Sequence, residues 1–263
     1  MNSIASVGPV NPPVGPEDKP SEDGTQLPLA FACVDHWSWN PSDKSREVLL
    51  NGPKDRIAHF HPNWSNGTAG VRGTRVLNNA RYYWEINVFQ RIFGTSMMFG
   101  IGTKDARLHV DAFVNMLGED DQSWGLSHKG YIWHNGRYKY YTRPFRENVS
   151  TTIGVFFDGI SGTLTYYKDG VSLGVAFTGL RDIKEPLFPI VCSTAAKTEM
   201  GLGMMKRDFI SLLDRCRSVI LQHLTKEEQL DELCLPKCLK NYISEGLEDF
   251  QADVQLSQNN FTL

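Results

Sequence analysis

The sequence lacks the features that mark several large classes of protein. Its 263 residues carry a formal net charge of −3, so it offers no basic field for nucleic acid or an anionic membrane. No apolar run approaches the roughly 18 to 20 residues that span a bilayer. The N-terminus has no charged stretch followed by an apolar one, which is the pattern of a secretory signal peptide. We therefore expect a cytoplasmic or nuclear protein with no nucleic-acid or membrane partner.

Cysteine is scarce and odd in number. The five residues are scattered along the chain, a distribution that favours reduced thiols over a disulfide framework. They are Cys33, Cys192, Cys216, Cys234 and Cys238.

Catalytic and metal-binding motifs are also missing. Residues 100–104 contain glycines and a lysine without the spacing of a phosphate-binding loop. The seven histidines form no H-E-x-x-H pattern, and Cys234 and Cys238 have no second Cys or His pair at zinc-finger spacing. Cys216 falls within an apolar helical stripe, which favours packing over a role as a nucleophile. We predict a protein that is not an enzyme and uses no metal or cofactor.

The clearest positive pattern is an antiparallel meander over residues 151–180. Asp169 and Gly170 both tolerate positive φ, and strand-forming residues flank them, so they predict a two-residue hairpin turn. Upstream, Ile153, Val155 and Phe157 alternate with the period of a half-buried strand. The predicted register pairs Lys168 with Val171, Tyr166 with Leu173 and Leu164 with Val175. The last four of these residues are expected on one sheet face, with Thr165, Tyr167, Ser172 and Gly174 on the other.

Further short segments complete a mainly β protein. Residues 1–28 are rich in proline, glycine and acid and are predicted to be a disordered tail. Strands are predicted at 48–50, 57–60, 82–89, 97–102 and on both sides of an Asn135-Gly136 hairpin turn. We predict a polar loop over residues 59–75 and a second long loop around 109–121, and long loops on a rigid sandwich often carry binding residues.

After Met205 the apolar spacing changes from strand to helix. A first helix is predicted over 208–224, a second after the capping-box pair Thr225 and Glu228, and a third over 237–243. Three such short helices are not expected to hold a core alone, so they must pack on the sandwich, on another chain, or on both. Residues 246–263 are predicted to be disordered. The apolar stripe of the first helix contains Phe209, Leu212, Leu213, Cys216, Val219, Ile220 and Leu224.

The β region resembles a SPRY domain, a bent sandwich of two antiparallel sheets used for protein recognition. The stretch FFDGISGTLTYYKDGVSLGVAF over residues 156–177 carries the resemblance. Further matches are Tyr83-Trp84-Glu85-Ile86, Phe99-Gly100-Ile101-Gly102, Gln122-Ser123-Trp124-Gly125 and Leu187-Phe188-Pro189-Ile190.

The helical region resembles a SOCS box. Ser211-Leu212-x-x-x-Cys216-x-x-x-Ile220 is similar to the elongin-binding box, and the i, i+4, i+8 spacing aligns its anchors on one helix face. The whole chain therefore resembles the SPRY domain- and SOCS box-containing proteins. The resemblance implies a SPRY sandwich over residues 29–206 and SOCS box helices over 207–245.

The resemblance also implies a function. Members of this family are substrate receptors of ubiquitin ligases, in which the SPRY domain captures a short Asn-containing peptide on the target. The SOCS box recruits elongin B, elongin C and a cullin, here expected to be cullin-5, with its RING partner. Ubiquitination and degradation of the target follow.

The site residues implied by the family can be placed on this sequence. The target-peptide residues are His61, Asn63, Ser65, Phe93, Gly94, Thr95, Phe113, Met116, Thr194, Ala195 and Ala196. The elongin-binding residues are Leu212, Cys216 and Ile220, and the cullin-binding residues are Leu235 and Pro236.

Several of these positions depart from the family pattern. The relatives have Arg, Pro and Ala where this chain has His61, Asn63 and Ser65, and a cleft Tyr is replaced by Phe113. The cullin element keeps Leu235 and Pro236 but continues with Lys237-Cys238 instead of an apolar residue and a second proline. The alternative function is a SPRY scaffold that binds partners without recruiting a ligase, and elongin binding by the helical segment separates the two.

Overall fold

Short strands separated by turns make up most of the chain. We describe residues 29, 32–77, 80–89, 94–208, 212–224 and 228–244 of a computed structural model, so the two tails predicted to be disordered lie outside the described residues. Three helices follow the strands: α1 Leu212–His223, α2 Glu228–Glu232 and α3 Lys237–Ser244. The described strands are, in chain order, β1 Cys33–Val34, β2 Trp39–Lys44, β3 Val48–Asn51, β4 Ile57–Phe60, β5 Thr68–Gly73, β6 Arg81–Val88, β7 Met97–Gly102, β8 His109–Val110, β9 Ser123–Ser127, β10 Tyr131–His134, β11 Arg137–Tyr140, β12 Thr151–Asp158, β13 Thr163–Lys168, β14 Val171–Phe177, β15 Phe188–Ser193 and β16 Thr198–Arg207.

The strands form two antiparallel sheets, as the sequence predicts. The first sheet has the order β14-β13-β12-β6-β16-β4-β3, with β1 paired to β16. The second has the order β11-β10-β9-β7-β15-β5-β2, with β8 paired to β5. The predicted hairpin turns are confirmed, since Asn135 and Gly136 have φ of 50° and 68°, and Asp169 and Gly170 have 50° and 81°.

The main core lies between the two sheets. Its residues alternate along each strand, because successive side chains of a strand point to opposite faces. Trp84 on the first sheet and Phe99 on the second are both fully buried, and Trp37 contacts Trp84 edge to face at 6.1 Å. Fully burying each large apolar side chain stabilises the fold by about 1.5–3 kcal/mol.

The prediction of a polar loop over residues 59–75 is wrong for residues 68–73. Residues 68–73 form β5, an inner strand of the second sheet whose six residues are all buried. Its Arg72 is 1% exposed, and its guanidinium donates to the Asp43 carboxylate at 2.5 Å and to the carbonyl of Ala106 at 2.8 Å. A buried charge is tolerated when it is paired and hydrogen-bonded, and the sequence alone does not show the partner.

The predicted register of β13 and β14 holds only near the turn. Lys168 pairs with Val171 as predicted, but the register then shifts so that Leu164 pairs with Phe177 rather than Val175. Gly174 lies at the first shift with φ of 86°, a conformation that favours glycine and is typical of a β-bulge. The bulge turns Val175 outward, where it is 55% exposed, and the predicted pair of Tyr166 with Leu173 is also absent from the ladder.

Two smaller apolar clusters lie outside the main core. One contains Met98, Met116 and Cys192 and packs on the outer face of the second sheet. The other, which we call the helical cluster, is made only of helix and helix-flanking residues, with Leu221, Leu230 and Ile243 at its centre. The predicted positions of α2 and α3 are confirmed, while Phe209 and the capping residue Thr225 lie outside the described residues.

Candidate functional site

One end of the sandwich gathers the loops in which the sequence places a peptide site. Ser193 at the end of β15 pairs with both Ala69 and Met97, so the start of β5, the start of β7 and the end of β15 meet. In the other sheet, Phe60 at the end of β4 pairs with Thr198 at the start of β16. The loops 61–67 and 194–197 and the described residues 94–96 therefore converge, and we call this end the loop surface.

Hydrogen bonds join the first and last of these loops. His61 Nε2 lies 3.0 Å from the Ser193 carbonyl oxygen and donates to it. Ser65 Oγ donates to the Thr194 carbonyl at 2.6 Å, and the Lys197 amide donates to the carbonyls of Phe60 and His61. Hydrogen bonds between residues 60–65 and residues 193–197 therefore fix the two loops relative to each other.

The second loop contacts the last one at Gly94. A Cβ atom at Gly94 would lie 3.2 Å from Thr194 Oγ1 and 3.3 Å from the Ala195 Cβ, and its φ of 95° disfavours other residues. Thr194 Oγ1 accepts from the Ser96 amide at 2.9 Å and donates to the Ser96 carbonyl at 3.0 Å. Gly94 and Thr95 are exposed, and Phe93 lies outside the described residues.

The loop predicted around residues 109–121 lies against the loop 61–67. A Cβ atom at Gly67 would lie 2.2 Å from the Val110 carbonyl oxygen, so the two backbones are in direct contact. Phe113 is 50% exposed at the surface of this loop. Met116 is 2% exposed and extends beneath the loop, where its methyl group approaches Gly70.

The predicted peptide residues thus divide into exposed and supporting groups. Asn63, Gly94, Thr95 and Phe113 are exposed, and Ser65 and Ala196 are half-buried. Ser65 and Thr194 already use their hydroxyl protons within the protein, so a bound peptide would meet the Asn63 amide, the Thr95 hydroxyl and backbone groups as polar partners. The buried supporting residues are His61, Met116, Thr194 and Ala195.

The sequence analysis missed Trp64. Its side chain is 82% exposed, although it stands between Asn63 and Ser65 in a loop whose neighbours are hydrogen-bonded. The available signal was a large aromatic residue among turn formers, because such a residue has no strand face on which to pack. Trp64 and Phe113 give the loop surface two exposed aromatic rings.

We expect His61 to make the stability of the fold depend on pH. Burial lowers the pKa of His61, so the unfolded chain binds more protons than the folded one around the ordinary histidine pKa of about 6.5. Its Nδ1 has no hydrogen-bond partner among the described residues, so a second proton there would be an unpaired buried donor. We expect stability to fall as the pH drops from 7 towards 5. In thermal melts across this range, His61→Gln should lose less stability than the wild type, and an equal loss would contradict this role for His61.

The first helix keeps an exposed apolar stripe, although part of it is packed. Leu212 is 76% exposed, Cys216 one turn later is exposed, and Ile220 is half-buried against the helical cluster. Val219 extends the stripe and is 49% exposed, whereas Leu221 on the other side is buried against α2 and α3. We call Leu212, Cys216 and Val219 the α1 stripe.

The predicted cullin element lies between α2 and α3. Leu235 is half-buried and packs on the helical cluster, while Pro236 is exposed. The Pro236 carbonyl accepts from the amides of Leu239 at 2.9 Å and Lys240 at 3.1 Å, so it begins α3. The ring of Pro236 and the side chain of Lys237 face outward and are available to a partner.

The described residues show little else that suggests chemistry. No three His, Cys, Asp or Glu side chains among them are grouped closely enough to hold a metal ion. None of the described helices is long and apolar enough to cross a membrane. All five cysteines are described, and none of them forms a disulfide bond.

Comparison with known proteins agrees with these two parts of the chain. The SPRY domain model matches residues 81–205 and the SOCS box model matches residues 210–244. In a crystal structure of a TRIM65 PSpry domain, the match covers 64% of this chain and 90% of that chain, with a TM-score of 0.51 and 19% identity. That similarity concerns the fold alone.

Two curated relatives match most of this chain. SPRY domain-containing SOCS box protein 3 of Xenopus laevis is 38% identical over 214 residues, which are 80% of this chain and 58% of that protein. This chain therefore spans less than two thirds of the Xenopus protein's length. Protein gustavus of Drosophila melanogaster is 31% identical over 227 residues, which are 78% of each protein. The chain belongs to the family of SPRY domain- and SOCS box-containing proteins.

Proposed function

We propose that this protein is a non-catalytic substrate receptor of an elongin B/C-cullin-RING ubiquitin ligase. The observation that supports it most is the α1 stripe: α1 packs one side on its neighbouring helices and leaves Leu212 76% exposed on another. A row of exposed apolar residues one helical turn apart is what a helix presents to a hydrophobic groove. In this proposal the groove belongs to elongin C.

The loop surface would capture the target. We propose that it binds a short, extended, Asn-containing peptide. Asn63 offers both amide donors and an acceptor, which match the side chain and backbone groups of such a peptide. Trp64 and Phe113 would supply apolar contact area, since exposed aromatic residues often anchor interfaces. The bound target would then be ubiquitinated and degraded.

The proposed working compartment is the cytoplasm, the nucleus or both. Five cysteines outside any disulfide, three of them exposed, suit a reducing environment. Imaging of the tagged full chain, with cell fractionation, tests this proposal.

The adaptor function is tested by purifying the tagged full chain from cells and identifying the proteins that accompany it. We expect elongin B and elongin C in amounts comparable to the chain, together with cullin-5 and its RING partner. A set of partners without either elongin would instead favour a scaffold that does not recruit a ligase.

A weak cullin contact is expected at Pro236 and Lys237. Both are exposed, and the chain lacks the second half of the family's cullin element. Replacing both with alanine should reduce cullin capture several-fold and leave elongin capture unchanged, because alanine retains the Pro236 carbonyl that begins α3. Quantitative co-purification measures both partners, and equal loss of the two would mean that the helical cluster had unfolded.

A further inference from the structure

A second exposed surface lies on the β10–β11 hairpin. In its register Tyr131 pairs with Tyr140 and Trp133 pairs with Tyr138. Because alternate residues of a strand share a face, these four rings lie on one face of the hairpin. Ile132, on the opposite face, is buried in the main core. The four aromatic residues, which we call the aromatic face, therefore point away from the sandwich.

The rings of the aromatic face contact one another, and its three tyrosines are open to solvent, while Trp133 is half-buried against the cluster of Met98 and Met116. Tyr131 meets Tyr138 and Tyr140 edge to face at 5.7 and 5.8 Å, and Trp133 stacks on Tyr138 at 4.7 Å. Tyr138 is nevertheless 64% exposed and Tyr140 is 57% exposed. Contiguous exposed aromatic area of this kind is uncommon on a protein surface that has no partner.

The same hairpin region is strongly basic. Between Asp121 and Glu147 the sequence contains no Asp or Glu, although the chain as a whole has a net charge of −3. All the cations of this stretch are exposed, and none forms an ion pair within the described part of the chain. They are Lys129, Arg137, Lys139, Arg143 and Arg146.

The hairpin also ends a sheet. β11 is the outermost strand of the second sheet, so its outer backbone edge has no strand partner among the described residues. Arg137 and Lys139 alternate along it with Tyr138 and Tyr140. Cations on an edge strand oppose pairing with another copy of the same strand, because like charges repel, and they favour pairing with a strand that carries acidic residues.

We propose that the β10–β11 hairpin binds an extended acidic segment of a partner protein, which adds as a strand beside β11. Side chains of an added strand alternate between faces, so apolar ones would meet the aromatic face and acidic ones would meet Arg137 and Lys139. The ligand class is thus a segment in which acidic and apolar residues alternate. Nucleic acid suits the surface less well, because Trp133 and Tyr138 already stack on each other and offer fewer free ring faces to bases.

The test uses the full chain and labelled synthetic peptides of about nine residues, long enough for one strand. The first peptide alternates glutamate with valine, and the second has lysine in place of glutamate. Two further versions of the first carry N-methyl groups along one strand edge or along the other. Fluorescence anisotropy should show binding of the glutamate peptide, at least tenfold weaker binding of the lysine peptide, and loss of binding for only one of the two N-methylated versions.

Variants locate the site. Arg137→Glu with Lys139→Glu should weaken binding of the glutamate peptide at least tenfold, and Tyr138→Ser should weaken it several-fold. Lys184→Glu is the matched control, because Lys184 is exposed outside the hairpin, and it should leave binding unchanged. If the double variant proves unstable in a thermal melt, the N-methylated peptides on the wild type decide instead.

Equal binding of the glutamate and lysine peptides would overturn this proposal, and so would full binding of both N-methylated versions. Tighter binding of a single-stranded oligonucleotide of about ten nucleotides, a length that fits one stacking site, would also overturn it. The test does not depend on the α1 stripe or the loop surface, so its failure leaves the proposed receptor function untouched.

Discussion

A chain that carries Leu212→Pro and Cys216→Phe is expected to lose elongin B and elongin C. Both residues belong to the exposed α1 stripe, and removing an interface anchor typically costs about 2 kcal/mol or more, a roughly thirty-fold loss of affinity. Proline at Leu212 removes the leucine side chain and cannot donate a helical backbone hydrogen bond, and phenylalanine at Cys216 adds a bulky ring to the stripe. Affinity capture from cells, with quantification of elongin C, measures the loss.

The sandwich of this variant should remain folded. The centre of the helical cluster is formed by Leu221, Leu230 and Ile243, and it shares no buried residue with the main core. His223→Phe, on an exposed residue at the other end of α1, is the control and should keep elongin C. Retention of elongin C by the double variant would contradict the assignment of the α1 stripe.

Phe113→Glu is expected to abolish target capture with little change in melting temperature. Phe113 is 50% exposed on the loop surface, so a charge there removes an apolar contact without entering the core. We expect at least a tenfold loss of affinity, as for other aromatic anchors. The measurement is binding of the purified full chain to peptides selected by the wild type from a library containing asparagine.

Controls separate binding from folding in this experiment. Ile160 is also 50% exposed but lies in the turn between β12 and β13, so Ile160→Glu should leave peptide binding unchanged. Glutamate at Gly94 or Ala195 should also abolish binding, but it should lower the melting temperature, because Gly94 has positive φ and Ala195 is 3% exposed. Full binding by all three loop variants would mean that the peptide site lies elsewhere.

The sequence predicts most elements of the fold because local patterns specify them. The hairpin turns at Asn135-Gly136 and Asp169-Gly170 follow from two residues that tolerate positive φ, whatever the rest of the chain does. The strand β5 could not be predicted in this way. Its Arg72 is buried through bonds to Asp43 and the Ala106 carbonyl, which are distant in sequence and meet only in the folded sandwich.

Local sequence patterns also do not predict the register between strands or the exposure of individual side chains. The bulge at Gly174 moves Val175 out of the core face, and one inserted residue leaves no signal in the alternation before it. For α1 the sequence shows one broad apolar stripe, but only the packed helices show that Leu221 is buried while Leu212 is exposed. For Trp64 the sequence offers a local signal, an aromatic residue among turn formers, but the extent of its exposure depends on how the loop 61–67 is held by Thr194.

The central claim, that α1 docks on elongin C, is tested most directly by titrating a purified elongin B–elongin C heterodimer into the purified full chain in a calorimeter. We predict one heterodimer per chain with a Kd of about a micromolar or tighter, corresponding to about −8 kcal/mol. With Leu212→Pro and Cys216→Phe, we predict no measurable heat of binding. Absence of binding by the wild type, or unchanged binding by the variant, would contradict the claim.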